Sequence, residues 1–221
     1  QMAKWVCQIE DARRIPELIS QAFHTALNGR PGPVVIALPE DMLVDEVEVA
    51  DAGPYKIARG APAAHDMATL RGLLEKAERP MVIVGGGGWT AEACADIKSF
   101  IEANDLPVCA SFRNQDLFDN RHPSYVGDLG VGVGPALGKR IKDCDLIIAV
   151  GPRLGEATTG GYTLFDLPVP KQKLVHVHAG AEELGRVYQA TLPINSGMAN
   201  FAAAAKAMKP VDGKRWKAET A

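Results

Sequence analysis

The chain has 221 residues, of which 47% are hydrophobic and 23% are charged, which is typical of a globular protein with one sizeable core and an appendage. Its formal net charge of −3 offers no basic footprint for nucleic acid. No apolar stretch approaches the roughly 20 residues that cross a bilayer, and the four cysteines are widely spaced as in a reduced protein, so we expect a cytoplasmic protein without nucleic-acid or membrane partners.

The first 45 residues predict one αβ unit. Apolar residues recur at helical spacing over 15–27, Gly29 ends that helix, and 34–38 follows as a strand. Such a unit cannot bury its apolar faces alone. It either docks on the main domain or is the end of an incomplete domain, and a start at Gln1 instead of Met favours the second view.

Residues 46–64 are acidic, carry Gly-Pro and Ala-Pro pairs and show no period, which predicts an inter-domain linker. From residue 65 strands and helices alternate. Strands are predicted at 81–84, 107–110, 146–150, 174–178 and 192–194, and helices at 66–77, 90–104, 135–141, 182–184 and 198–208. This order predicts an α/β domain over 65–210, a Rossmann-like parallel sheet with helices on both faces. A loop that contains His122-Pro123 and Gly127-Asp128-Leu129-Gly130 is predicted before the helix at 135, and residues 213–221 are predicted as a polar, basic tail.

The run Gly85, Gly86, Gly87, Gly88 joins the first of these strands to the helix that Thr90 opens. Glycines let a backbone approach a phosphate, and the free N–H groups of a helix start point toward it. The arrangement therefore predicts an anion site for a dinucleotide or a nucleotide diphosphate.

This glycine run fits the dinucleotide fingerprint only in part. Gly85 and Gly87 match its first two glycines, but Thr90 replaces the third. Ser111 follows the second strand where an NAD site would carry a carboxylate. The alternative is a glycine turn that only lets a strand and a helix pack closely, and it stays open.

Several motifs together carry a resemblance. They are Gly29-Arg30-Pro31-Gly32-Pro33-Val34-Val35-Ile36-Ala37-Leu38-Pro39-Glu40-Asp41, Ala77-Glu78-Arg79-Pro80, Gly85-Gly86-Gly87, Val150-Gly151-Pro152-Arg153, Leu174-Val175-His176 and Glu183-Leu184-Gly185. Over residues 3–210 the chain resembles the acetolactate synthase-like family of thiamine diphosphate enzymes. The resemblance identifies residues 1–45 as the end of the pyrimidine-binding domain and 65–210 as the central domain. The tail, 211–221, would lead toward a third domain.

The resemblance implies a parent enzyme that binds thiamine diphosphate and Mg²⁺ and acts on a 2-oxo acid as a homodimer or homotetramer. Its activating glutamate and its Gly-Asp-Gly…Asn motif lie in the two other domains. Gly127-Asp128-Leu129 does not match that motif. We therefore expect no catalytic residue in this chain and no activity of the chain alone.

Some central domains of this family bind FAD, others ADP, and many bind nothing. The resemblance places Gly85–Gly88 at the diphosphate and Arg153 at the nucleotide, whereas a surface salt bridge is the alternative for Arg153. Where FAD-binding relatives carry adenosine-side carboxylates, this chain has His178, Gly180 and Met198. We therefore expect weak binding of FAD or ADP.

A metal site is not expected. His176 and His178 face the same side of one strand, but no third ligand has matching local spacing. The four cysteines are widely spaced without a Cys-x-x-Cys pair, which predicts reduced core thiols. Two other functions stay open: a free-standing nucleotide-binding module, related to electron-transfer flavoproteins or NAD-dependent deacylases, and a structural domain that assembles an oligomer.

Overall fold

A computed structural model describes residues 2–213 and 216. The rest of the predicted tail lies outside these described residues. The chain divides into two compact units, Gln1–Arg59 and Gly60–Ala221.

The first unit contains β1 (Trp5–Gln8), α1 (Ile15–Leu27) and β2 (Val34–Ala37). The two strands pair in parallel and form a βαβ unit. The prediction of an αβ unit was therefore wrong in part, because it lacked the first strand. Helix α1 has the expected bounds, and its buried residues pack against Ile9 and Met42. Strand β1 escaped prediction because four residues with alternating burial and no preceding turn give little periodic signal.

The second unit follows the expected alternation. Its elements are α2 (Ala64–Lys76), β3 (Pro80–Val84), α3 (Ala91–Ala103), β4 (Val108–Ala110), β5 (Tyr125–Asp128), α4 (Pro135–Asp143), β6 (Leu146–Val150), β7 (Lys173–His178), β8 (Leu192–Asn195) and α5 (Met198–Ala207). The strands form one sheet in the order β5-β4-β3-β6-β7-β8, and every pair is parallel. The prediction of a parallel α/β sheet is confirmed.

Alternate residues of the central strands enter two separate cores. Val82 and Val84 of β3 pack with α2, α3 and α5, whereas Met81 and Ile83 pack with α4. Helices therefore cover both faces, as expected. Strands β3 and β6 are buried along their full length because they lie in the middle of the sheet.

Strand β5 lies within the segment that the sequence predicts as a loop. It occupies the sheet edge, and its pairing with β4 shifts register between Val108 and Ala110. Its residues, Tyr-Val-Gly-Asp, form no apolar run, and Gly127 has a positive φ of 121°. The loop prediction was wrong here because the neighbouring strand, rather than local propensity, determines an irregular edge strand.

Candidate functional site

The glycine run lies where the strand order reverses. Strand β3 is followed by β4 on one side, and the chain later returns to place β6 on the other side. Gly85 comes directly after β3, and Gly151 comes directly after the neighbouring β6. The carboxyl ends of parallel strands at such a reversal point are where open α/β sheets bind ligands. The fold thus brings the predicted glycines and the segment that carries Arg153 to one edge.

The first two glycines are closely packed. A Cβ on Gly85 would overlap the Ser111 side chain and lie 3.0 Å from Cβ of Pro152. Gly86 has a φ of 71°, and a Cβ there would overlap the backbone of Gly151. These positions require glycine for packing, whether or not a ligand binds.

The last two glycines face open space. A Cβ on Gly87 or Gly88 would meet no heavy atom within 4 Å, and Gly88 has a φ of 85°. Next to them, Trp89 donates its indole N–H to the carbonyl of Gly85 at 2.8 Å. Gly87 and Gly88 are therefore the part of the run that a ligand can approach.

The start of α3 supplies only part of an anion site. Thr90 is the N-cap residue, and its hydroxyl accepts a hydrogen bond from the Ala93 N–H at 3.1 Å. One N–H of the first turn is thus already satisfied by the chain itself. The remaining N–H groups and the helix dipole still favour an anion there.

Arg153 is held by a buried carboxylate. Its Nε lies 3.3 Å from Oε2 of Glu183, whose side chain is only 6% exposed. Arg186 approaches the other oxygen, Oε1, at 2.8 Å. Arg153 therefore forms a salt bridge, as the alternative interpretation expected, but its partner carboxylate is buried and not at the surface. Binding of a diphosphate by Arg153 stays a prediction.

The residues that the resemblance would place at an adenosine end make contacts within the chain. Met198 is buried, and its sulfur would lie 2.7 Å from a Cβ built on Gly151. His178 is buried, and its Nδ1 lies 3.0 Å from both the nitrogen and the carbonyl oxygen of Gly180. None of these side chains is a carboxylate that could accept hydrogen bonds from a ribose.

The two strand histidines are engaged by the backbone. Nε2 of His176 lies 3.0 Å from the carbonyl of Pro152, and burial lowers the pKa of His176. Its ring centroid lies 6.1 Å from that of His178. Within residues 2–213 and 216 no group of three or more His, Cys, Asp or Glu side chains could hold a metal ion.

A larger cleft lies away from the glycine run. It has a volume of about 870 Å³ and lies between α4, the preceding segment 130–133 and the segment 156–164. Neither Gly85–Gly88 nor Arg153 lines it. No sequence motif predicts this cleft, and its local signal is the density of glycines before α4. In the described part of the chain no helix is long and apolar enough to cross a membrane.

Comparison with known proteins gives consistent matches. Residues 67–205 match the family model for the central domain of thiamine pyrophosphate enzymes. The chain is 31% identical over 196 residues to the probable acetolactate synthase large subunit of Methanocaldococcus jannaschii, which covers 85% of this chain and 32% of that protein. It is 27% identical over 193 residues to the acetolactate synthase isozyme 2 large subunit of Escherichia coli K12, covering 86% of this chain and 34% of that subunit. It is 29% identical over 190 residues to the glyoxylate carboligase of Escherichia coli O157:H7, covering 84% of this chain and 31% of that protein. The chain thus spans about a third of the length of the curated relatives it matches.

Proposed function

Since this chain belongs to the thiamine pyrophosphate enzyme family and contains its central domain, we propose that it serves in a thiamine diphosphate-dependent enzyme acting on 2-oxo acids. The observation that carries the proposal is the match over 67–205, which covers most of the parallel sheet and its helices. Relatives named acetolactate synthase and glyoxylate carboligase support decarboxylation or carboligation as the reaction of the parent. They also favour this function over a free-standing nucleotide-binding module.

In this proposal the chain has a scaffolding role. Residues 1–45 end a pyrimidine-binding domain, 46–64 form a linker, 65–210 form the central domain, and 211–221 lead toward a third domain. The parent works in the cytoplasm as a homodimer or homotetramer. Its 2-oxo acid binds outside this chain.

The described residues do not fit thiamine diphosphate or Mg²⁺. The sequence has no Gly-Asp-Gly motif, and Asp128, which comes nearest to one, ends strand β5. The Asp128 carboxylate accepts a hydrogen bond from the Gln115 amide at 3.1 Å. We therefore assign no catalytic step to any residue of this chain.

We further propose that the carboxyl end of β3 binds the diphosphate of ADP or FAD weakly. The diphosphate lies over Gly85–Gly88 and contacts mainly Gly87 and Gly88, while Arg153 reaches it from the neighbouring turn. The helix dipole contributes about 0.3–1 kcal/mol, and a charge-assisted contact with arginine about 1.5–3 kcal/mol. The pairing of Arg153 with Glu183 reduces the second contribution, and the adenosine end finds no carboxylate at Met198.

The proposed division of labour is tested with the purified 221-residue chain. Incubated with thiamine diphosphate, Mg²⁺ and pyruvate, it should release no CO₂ above background, and calorimetry should detect no binding of thiamine diphosphate. The acetolactate synthase isozyme 2 large subunit of Escherichia coli, assayed alongside, is the positive control. Turnover by the 221-residue chain would contradict the assignment of all catalytic residues to other parts of the parent.

A further inference from the structure

A small cavity lies beside the Arg153–Glu183 ion pair. Its volume is about 80 Å³, and its walls come from the segment after β6, from strand β7 and from the segment after β7. The side chains that matter for its chemistry are Arg153, Tyr162, His176, Glu183, Arg186 and Tyr188. None of Gly85–Gly88 lines it, although Arg153, which we propose also reaches the diphosphate at the glycine run, does.

The charges around this cavity are not balanced. The buried carboxylate of Glu183 has two guanidinium partners, Arg153 at 3.3 Å and Arg186 at 2.8 Å. His176 adds no positive charge at neutral pH, because burial lowers its pKa and its Nε2 lies against the Pro152 carbonyl. The three ionised side chains therefore leave a net charge of about +1 at the cavity wall, from two guanidiniums and one carboxylate.

A buried hydroxyl group beside the same cavity lacks a partner. Tyr188 is only 2% exposed, and its Oη makes no hydrogen bond within the described part of the chain. The Thr159 hydroxyl lies nearby and offsets part of the rise that burial causes in the pKa of Tyr188, but the two hydroxyl groups do not meet normal hydrogen-bond geometry, and Oγ1 of Thr159 donates to the Gly155 carbonyl at 2.9 Å. Buried hydroxyl groups without a partner are rare in folded proteins and call for a bound water, ion or ligand.

We propose that this cavity binds one small oxyanion, with the guanidiniums of Arg153 and Arg186 and the hydroxyl of Tyr188 as donors. The planar fork of arginine matches the oxygens of a phosphate or a carboxylate. A volume of about 80 Å³ has room for a few water molecules or for one small anion. Water alone would satisfy Tyr188, and the guanidiniums, whose side chains are 49% and 57% exposed, stay hydrated; a bound oxyanion would in addition offset their excess positive charge.

The proposal is tested by titrating the 221-residue chain with inorganic phosphate at constant ionic strength. Binding is measured by calorimetry and by ³¹P NMR. We expect saturable binding of one phosphate per chain. A parallel titration with acetate distinguishes a preference for phosphate from a preference for a carboxylate. Saturable binding of either anion at one site supports the oxyanion site.

Three variants locate the site. Tyr188→Phe removes only the hydroxyl and should weaken the binding about 5- to 10-fold, and Arg186→Gln should weaken it at least 10-fold. Arg121→Gln is the matched control, because Arg121 is 91% exposed, pairs with Asp119 and lies outside the cavity lining. It should leave the affinity unchanged.

The Glu183→Gln variant should bind phosphate more tightly than the unmodified chain. It removes the carboxylate that competes for both guanidiniums, so the affinity should rise at least 10-fold. If this variant does not fold, as judged by circular dichroism, the Tyr188→Phe and Arg186→Gln titrations decide. Absence of saturable binding to the unmodified chain would overturn the proposal, as would equal loss of affinity in Arg121→Gln and Tyr188→Phe.

Discussion

The backbone of Gly151 occupies the space that any side chain on Gly86 would need. The relation is reciprocal, because a Cβ on Gly151 would overlap the carbonyl of Gly85. The turns after β3 and β6 thus touch at the point where the strand order reverses. The four-glycine run consequently has two parts, one required for this contact and one that faces open space.

We predict that Gly86→Ala lowers the stability of the chain and that Gly87→Ala does not. Alanine at 86 combines a positive φ of 71° with an overlap on backbone, and should lower the free energy of unfolding by about 3 kcal/mol or more. Alanine at 87 meets no atom within 4 Å and should leave stability unchanged or raise it by up to about 1 kcal/mol. Urea unfolding measures both variants. Equal losses in the free energy of unfolding would show that Gly86 and Gly87 do not differ in their packing roles.

Asn104 should be a structural residue of the central domain. It is buried, its Nδ2 donates to the Phe100 carbonyl at 2.8 Å, and its Oδ1 accepts from the Val211 N–H at 2.8 Å. Asn104→Ala would leave that buried N–H without a partner and should cost about 1–3 kcal/mol in urea unfolding. Gln115→Ala, which removes a hydrogen bond near the surface, should change stability by no more than about 0.5 kcal/mol.

The stability of the chain should fall on mild acidification because of His176. Burial is the main cause that lowers its pKa below 6.5; the neighbouring His178 lowers it further, while the Pro152 carbonyl and Glu183 raise it. Below pH 6.5 the unfolded chain takes up a proton that the folded chain resists. The free energy of unfolding should therefore decrease as the pH falls from 7 toward 5, by at most about 1.4 kcal/mol per pH unit for this one group.

The His176→Gln variant isolates this contribution. Its urea unfolding, measured at pH 7.5, 6.5 and 5.5, should depend less on pH than that of the unmodified chain. Parallel pH profiles for the two proteins would assign the acid sensitivity to other groups.

The thiols should react in the order of their exposure. No cysteine of the described chain is in a disulfide; Cys7 and Cys94 are partly exposed, whereas Cys109 and Cys144 are buried. Burial also raises the pKa of the Cys109 thiol strongly. Ellman's reagent at pH 8 should therefore modify Cys7 first, and Cys109 and Cys144 only after denaturation. Rapid native labelling of Cys109, located by mass spectrometry, would contradict its burial.

The sequence predicted the parts of the fold that have strong periodicity. The apolar run 81–84 and the amphipathic helix 15–27 appear almost residue for residue. Strands β1 and β5 were missed, because one is short and the other is irregular and held only by its neighbour. Local pattern carries no information about such pairing.

The sequence predicted which residues form the candidate site and at which sheet edge they lie, but not the contacts that these residues make. The glycines and Arg153 follow neighbouring strands, so their common edge could be expected from a parallel sheet. The partner of Arg153 could not be expected, because Glu183 is 30 positions away in the sequence. Nor could the sequence show that Tyr188, which is buried, lacks a hydrogen-bond partner.

The most direct measurement of the proposed nucleotide role is a calorimetric titration of the chain with ADP. The unmodified chain should bind ADP weakly, and Gly87→Ala should weaken binding further without loss of stability, because its methyl group enters the space reserved for the diphosphate. Arg153→Ala should weaken binding about tenfold, whereas Tyr188→Phe should leave it unchanged. Tight binding of ADP that neither Gly87→Ala nor Arg153→Ala weakens would contradict a nucleotide site at this turn. Absence of ADP binding at any practical concentration would contradict it too.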